Sequence, residues 1–467
     1  MGGKRWLVRR SKQALGQPAR LMPVWAAFAG TFTVAIATLA GLMWAGLTLL
    51  GVRSFKPERA LTSSTLFDLV KLAFAVVAGI GGLVALVVAY RRQRLEEGAA
   101  LREATKLHTD RFTAATAQLG SDSSAIQLAG AHALAGLADD APTRALRQTC
   151  IDILCAYLRM PYDPDPGENP TEATPAEIKE RAAARHTYRS LREVRHTIIR
   201  TITAHLRDDA EASWQGHDFD FTEVVFDGGD FTGARFTAYP DNALHGRVTF
   251  TNAVFSGGTV DFRGAVFSGA TVHFGGTSFS GGTVHFGGAM FSGGMVDFGN
   301  ASFSGGMVDF GNASFSGGTV GFGGVSFSGG RVHFGGASFS GGTVHFGGAM
   351  FFSGTVGFGG AVFSGATVHF GGASFSGGTV HFGNASFFGG TVHFMGAMFP
   401  GGTVDFEGAR FSGATVGFGG ASFSGATVSF YGVLRPTGIM DLRPAPGVTL
   451  PDDWAQDSDA STAPEGS

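Results

Sequence analysis

Two interleaved ladders of phenylalanine run through the second half of this 467-residue chain. One repeats every twelve residues from Phe250 to Phe430 and the other every twelve from Phe255 to Phe423, and together they hold 31 of the 44 phenylalanines. Val stands two residues before every Phe of the first ladder. Ala stands two before 13 of the 15 in the second, with Thr277 and Val325 as the exceptions. A strict period predicts one small unit stacked many times, because such a unit cannot bury its apolar face alone.

Each Val-x-Phe or Ala-x-Phe triplet predicts a short strand, since residues two apart point to the same side of an extended chain. Gly-rich runs between the triplets supply the corners. Just upstream, the spacing is purer, with a Phe at every fifth position from Phe221 to Phe236. A disordered, Gly-rich low-complexity tract does not account for such a regular register.

This spacing resembles the pentapeptide-repeat family, which implies a right-handed quadrilateral β-helix. Alternate repeats carry two extra residues here, so two five-plus-seven pairs give a coil of 24 residues with four faces. A 12-residue coil is the alternative, but it would have to enclose two Phe, one Val and one Ala in each turn. The larger coil is favoured, and it predicts a solenoid over 211–434 with every ladder Phe and Val inside.

The N-terminal region predicts a membrane anchor. No charged residue occurs from Val24 to Val52 or from Leu72 to Tyr90, and about 20 apolar residues suffice to cross a bilayer as a helix. We therefore expect a basic tail over 1–23 and a two-helix transmembrane hairpin over 24–90. Small residues at Ala37, Gly41 and Ala45 would permit close packing or dimerisation of the first helix. Asp68 and Lys71 are expected to form a structural pair.

Basic residues predict the orientation of the hairpin. Six Lys or Arg precede the first span and five follow the second, against three in the connecting loop. Because such residues accumulate on the cytoplasmic side, we expect a multi-pass protein of the bacterial inner membrane with both termini in the cytoplasm.

Residues 91–210 predict a small all-α segment with a Pro-rich loop at 161–175. Ser121 and Asp122 are candidate caps for the helix that follows them. The stretches QLGSDSSAIQLAGAHALAGLADD, RQTCIDILCAYLRMPYDPDP and SWQGHDFDF resemble actinobacterial membrane proteins that carry pentapeptide repeats, a resemblance that implies an architecture and no reaction. Trp214 is expected to cover the first coil. Residues 435–467 are expected to form a C-terminal cap and a disordered tail.

Cysteine and histidine are the residue types in this chain that could bind a metal or take part in a reaction. Cys150 and Cys155 lack metal-site spacing and are expected to pack in the apolar core. With 24-residue coils, His345, His369 and His393 would form one file, about 4.8 Å apart, and are the candidates for a metal site. Asp, Gly and Ser occupy the same slot in other repeats. A solvent-exposed ladder is therefore favoured, with no metal, cofactor or catalytic residue assigned.

These features predict a non-enzymatic, membrane-anchored scaffold that presents the solenoid to an unidentified protein partner. Association with the lipid bilayer is expected, and self-association is compatible with the sequence. The alternatives are a metal-binding His-ladder module and a topoisomerase-directed DNA mimic. Five acids and three bases between Phe250 and Phe430 are too few to imitate a duplex with one charge per about 1.7 Å. No nucleic-acid partner is therefore expected.

Overall fold

The computed structural model describes scattered residues between 29 and 49, and residues 63–163, 165–237, 246–269, 271–433, 438–440 and 448–449. The chain divides into two compact units, Met1–Lys106 and Leu107–Ser467. The predicted first span has only scattered described residues, all of them helical, and most of it lies outside the described part of the chain. The two-span hairpin therefore stays a prediction.

Helix α1 spans Ser63–Leu119 and contains the second predicted membrane span. Its stretch Leu66–Leu119 is the one described segment long and apolar enough to cross a membrane, with a mean hydropathy of 2.6 in its most apolar window and none of that window buried. By length and composition alone, this is weak evidence for membrane association. The Lys71 ammonium lies 3.3 Å from the Asp68 carboxylate, which confirms the predicted pair.

Three further helices form the α-helical segment: α2 at Ser124–Asp139, α3 at Arg144–Arg159 and α4 at Pro175–Leu206. The N-cap of α2 is Ser123, so the prediction of Ser121 and Asp122 was wrong by one or two residues. Helix α4 begins with a capping box, in which the Thr174 hydroxyl accepts from the Glu177 N–H while the Glu177 carboxylate accepts from the Thr174 N–H. Such a box satisfies two backbone donors that a helix start otherwise leaves free.

The helices enclose a core to which both cysteines contribute. Cys150 and Cys155 are buried and unbridged, as predicted. Leu154 of α3 and Ile198 of α4 are likewise fully buried. Burial raises the pKa of the Cys155 thiol to about 12, so this cysteine stays a thiol at neutral pH.

The solenoid consists of four parallel sheets, which we name A to D. Sheet A contains Phe219–Asp220, Val248–Thr249, Val272–His273, Met295–Asp297, Thr319–Gly321, Thr343–His345, Thr367–His369, Thr391–His393, Thr415–Gly417 and Gly438–Met440. Sheet B contains Val225–Phe226, Val254–Phe255, Ser278–Phe279, Ser302–Phe303, Ser326–Phe327, Met350–Phe351, Ser374–Phe375, Met398–Phe399 and Ser422–Phe423.

Sheet C contains Gly229–Asp230, Thr259–Asp261, Thr283–His285, Met307–Asp309, Arg331–His333, Thr355–Gly357, Thr379–His381, Thr403–Asp405, Thr427–Ser429 and Val448–Thr449. Sheet D contains Arg235–Thr237, Val266–Ser268, Met290–Ser292, Ser314–Ser316, Ser338–Ser340, Val362–Ser364, Ser386–Phe388 and Arg410–Ser412. Successive strands up to Thr427–Ser429 visit the sheets in the order A, B, C, D, and within this set each strand pairs with the one four places on. At the C-terminal end, Gly438–Met440 pairs with Thr415–Gly417, and Val448–Thr449 pairs with Thr427–Ser429.

The strand register confirms the 24-residue coil and excludes the 12-residue one. Val284 pairs with Val260 on one side and Val308 on the other, each 24 positions away. This four-sheet solenoid is consistent with pentapeptide repeats. Its predicted right-handed winding, and the membrane-bound actinobacterial type, stay predictions. Strand pairing continues to Val448–Thr449, beyond the boundary predicted at 434.

Stacked phenylalanine rings fill the core of the solenoid. Within a sheet the rings lie nearly parallel, as in Phe298 and Phe322, whose centroids are 4.8 Å apart with an interplanar angle of 2°. Between sheets A and C they meet edge to face, as in Phe322 and Phe334 at 5.9 Å and 89°. Both arrangements suit the quadrupole of an aromatic ring. All ladder valines are buried, but Phe411 and Phe423 are only partly so. The prediction was therefore wrong for these two.

Two positions show how single residues fit the close packing of the coils. Thr277 replaces Ala and is fully buried, and its hydroxyl donates to the Phe250 carbonyl at 3.0 Å, so burial leaves the hydroxyl hydrogen-bonded. At the corner before sheet C, Gly282 has φ +69°, and a Cβ there would lie 2.4 Å from the carbonyl oxygen of Gly258 in the previous coil. Glycine is thus required both for backbone conformation and for the close stacking of corners.

Candidate functional sites on the solenoid and its helical cap

The pleat of each Val-x-Phe strand turns its middle residue outward, and the parallel register aligns these residues in files across the coils. On sheet A, His345 pairs with His369, and His369 with His393. Their ring centroids are 5.9 and 5.1 Å apart. The predicted file therefore exists, with His345 exposed and the other two half-buried.

The environment of His369 disfavours its protonation. Burial, followed by the neighbouring His393 and His345, lowers the pKa of His369 from its ordinary value. The His345 Nδ1 accepts from the Gly347 N–H at 3.2 Å, which leaves Nε2 as the protonated nitrogen of the neutral ring. Within the described part of the chain, no three His, Cys, Asp or Glu side chains are grouped to hold a metal ion.

Sheet C carries a second file, in which carboxylates and imidazoles alternate. Successive coils place Asp261, His285, Asp309 and His333 one above another. The Nδ1 of His333 lies 3.0 Å from one oxygen of Asp309, and the Nδ1 of His285 lies 3.6 Å from the other. Asp309 is thus held between two imidazoles.

The Asp309 carboxylate is stabilised in its charged form. Burial by itself would raise its pKa, but hydrogen bonds from His333 and from the Gly311 N–H, together with the nearby imidazoles, bring the pKa below its ordinary value. A similar pair recurs two coils further on, where the Nδ1 of His381 lies 3.4 Å from Asp405. Sheet C therefore offers an outward file of paired carboxylates and imidazoles.

The first coil is covered by the helical segment, and Asp227 is the centre of this junction. Its carboxylate accepts from the hydroxyls of Tyr162 and Tyr188 at 2.9 and 2.6 Å, and from Arg192 Nε at 3.1 Å. The Nε2 of His196 lies 3.1 Å from its other oxygen. Burial opposes ionisation, yet these donors hold the pKa of Asp227 well below its ordinary range. The arrangement ties two separate parts of the helical segment to one corner of the solenoid.

A buried arginine makes a second connection. Arg195 is 5% exposed, and its guanidinium donates to the carbonyls of Leu158 and Val225, each at 2.8 Å. The same guanidinium lies 4.4 Å from the centroid of the Tyr162 ring, a favourable cation–π distance. Trp214, predicted to cover the first coil, is fully buried. Its indole N–H donates to Asp139 at 2.8 Å and its ring stacks on His205.

A groove of 430 Å³ lies beside this junction. Its three arginines are each paired with a carboxylate: Arg192 with Asp227, Arg200 with Glu193 and Arg263 with Asp261. Each arginine of the groove is therefore paired, and Asp230 adds a further carboxylate to its wall. The junction has the features of a structural cap, which a solenoid needs to close its exposed end.

Comparison with known proteins finds no match to this chain. No protein-family model, no curated protein and no solved structure matches this chain. Functional inference therefore depends on the geometry of the surface itself.

Proposed function

We propose that this protein is a non-enzymatic scaffold, in which the solenoid presents its outer faces to a protein partner. The supporting observation is that inward and outward positions of the repeat vary to different extents. Inward slots keep Phe, Val and a small residue from coil to coil, whereas the outward slot on sheet C changes among Asp, His, Gly and Ser. Because the inward residues are committed to the core, binding energy for a partner has to come from the outward ones.

We further propose that the scaffold is anchored in the bacterial inner membrane by two helices, with the solenoid in the cytoplasm. The apolar composition of α1 supports a span, and the excess of Lys and Arg on both flanks supports the orientation. In this arrangement the protein holds its partner at the inner face of the membrane.

Proximity labelling in the native host tests the scaffold, using a biotin ligase fused to the C-terminus. We expect a reproducible set of neighbouring proteins that is lost when the outward residues of sheet C are changed. The variant replaces His285, Asp309, His333, His381 and Asp405 by Ser. Ser is chosen because Ser429 already occupies this slot on the same sheet, so folding should be retained.

A matched variant changes the equivalent file on sheet A, with His345, His369 and His393 replaced by Ser. If the partner binds sheet C, this variant keeps the parent's neighbours, whereas a partner on sheet A gives the opposite result. Neighbours that are unchanged in both variants, and in a third that combines them, would contradict a scaffold that uses these two faces.

A further inference from the structure

The outward slots that flank the second Phe ladder hold a pattern that the scaffold role leaves unexplained. These slots belong to sheets B and D. The slot after the ladder Phe is Ser in 12 of 15 repeats, and the exceptions are Phe352, Phe388 and Pro400. Phe352 and Phe388 are 51% and 53% exposed. An exposed Phe adds nothing to the core at a position that is Ser in most other repeats. A contact with another molecule therefore explains the exposed Phe better than core packing does.

Two repeats have apolar residues in both outward slots without a charged or hydroxyl side chain between them. One carries Met350 and Phe352, and the other carries Met398 and Pro400. Both lie on sheet B, two coils apart, because Met350 pairs with Ser374 and Ser374 with Met398. Met350 is 37% and Met398 is 51% exposed. The result is two apolar ridges separated by one coil of serines.

The ridges are related by symmetry. A two-fold axis that lies in the interface plane and runs along the strand at Phe375 would place Met398 of one copy over Met350 of a second copy, and Pro400 over Phe352. Ser374 and Ser376 would then each face the same residue of the other copy on the axis. We propose that two copies of this chain associate through sheet B in this antiparallel arrangement. Such an interface is isologous, with the same patch used by both subunits.

Charge also favours a second copy as the occupant of this face. From Val254 to Ser424, the outward slots of sheet B hold no charged residue. Sheets A and C, by contrast, carry the His and Asp files in the same coils. Two identical copies therefore meet through sheet B without juxtaposing like charges, which would oppose association.

The dimensions of the face set the strength of the dimer. Nine strands at about 4.8 Å give a face about 40 Å long, and one sheet of short strands is narrow. The interface therefore falls toward the small end of the specific range, near 1,200 Å² or below in total. Phe352 supplies an aromatic anchor that packs against Pro400, while Met350 and Met398 face each other with flexible thioether side chains that adapt to one another. A reversible dimer follows, independent of the identity of any other partner.

Thiol cross-linking tests the register of this dimer in the full chain, in membranes and after detergent extraction. The probe is a short bis-maleimide, whose reach suits the roughly 10 Å between packed β faces. We expect Ser376→Cys to give a cross-linked dimer, because residue 376 lies beside the axis. Ser328→Cys places a thiol in the same exposed slot, but two coils from the axis, so its mates are roughly 19 Å apart and should not cross-link.

Two further experiments separate this arrangement from random contact. Ser328→Cys mixed with Ser424→Cys should cross-link, because the axis brings these two slots together. In the Ser376→Cys background, Met350→Ser with Phe352→Ser should abolish the dimer, while Phe388→Ser on sheet D should not. Equal cross-linking at 376 and 328 would overturn the proposal. So would the absence of cross-linking at 376 when a monofunctional maleimide labels both sites, or a dimer that persists in the Met350→Ser/Phe352→Ser variant.

Discussion

The Nδ1 of His333 lies 3.0 Å from the carboxylate of Asp309, a residue 24 positions earlier in the chain and one coil away in space. Contacts of this kind join successive coils through the outer surface, whereas the Phe stacks join them through the core. The two layers respond differently to their surroundings, because only the outer one contains titratable groups.

Stability in acid should depend on Asp309. Its pKa is lower in the folded protein than in the unfolded chain, so its contribution is present above an unfolded pKa of about 3.9 and is lost as pH falls through the lower folded value. Asp309→Ser should lower the urea midpoint near pH 7 and reduce the further loss on acidification to about pH 3. Circular dichroism measures both midpoints. Asp297→Ser on sheet A is the control, because Asp297 occupies the equivalent slot between His273 and Gly321 but accepts from the Gly299 N–H rather than from an imidazole. An equal effect of the two substitutions would argue against the His contacts as the cause.

The histidine file on sheet A should have its own pH dependence. The pKa of His369 is lower in the folded state, so protonation favours the unfolded chain. The associated stability is lost as pH falls through the unfolded value of about 6.5. Replacing His345, His369 and His393 by Ser should therefore reduce the fall in Tm between about pH 8 and about pH 5, as measured by calorimetry. A parent and variant with the same fall would show that the file does not oppose protonation.

The same triple substitution tests metal binding. We expect no stoichiometric binding of Zn²⁺ or Ni²⁺ to the parent, because no described cluster of three ligands is grouped to hold a metal ion. Titration calorimetry on the full chain is the measurement. Micromolar or tighter binding at a defined stoichiometry, absent from the triple variant, would instead favour the metal-binding module.

The loss of unfolding free energy on replacing a ladder Phe by Ala should depend on how deeply that Phe is buried. Phe322 is fully buried between stacked neighbours, so Phe322→Ala should cost about 3–5 kcal/mol. Phe423 is only partly buried, and Phe423→Ala should cost less than half as much. Urea unfolding gives both free energies. Equal losses would indicate that Phe423 is covered in solution.

Membrane topology can be tested with single cysteines. We expect a cysteine at Ser63 to react with an impermeant thiol reagent in intact cells, and one at Ser467 to stay protected until the membrane is opened. Background should be low, because Cys150 and Cys155 are buried and burial raises their thiol pKa values to about 11 and about 12. Labelling at Ser467 alone would move the solenoid to the outer side of the membrane.

The sequence predicts the solenoid well because its inward residues repeat without interruption. Coil length, four faces and the file of His345, His369 and His393 all follow from that period. The alternation of Asp261, His285, Asp309 and His333 was also visible as a 24-residue spacing, but it becomes meaningful only once the coil length is known.

Other features could not be predicted from spacing. Asp227 gathers donors 65 and 39 residues away, at Tyr162 and Tyr188, and no period relates helices to the coil on which they pack. Phe411 and Phe423 also differ from their ladder mates for a reason outside the repeat. They belong to the last described strands of sheets D and B, so no described neighbour covers them from above.

The 24-residue register also governs which changes in length the solenoid can accept. Insertion or loss of a whole coil would preserve every file and every core stack, and would only lengthen or shorten the molecule. Insertion of 12 residues would keep the Phe ladders equally regular, yet exchange sheet A with sheet C and sheet B with sheet D beyond that point. With the insertion between His333 and His345, the side chains of His345, His369 and His393 would continue the file of Asp309 and His333 on sheet C. Duplication of a single half-coil would thus change which outward residues are neighbours on each face, while the Phe stacks of the core stay intact.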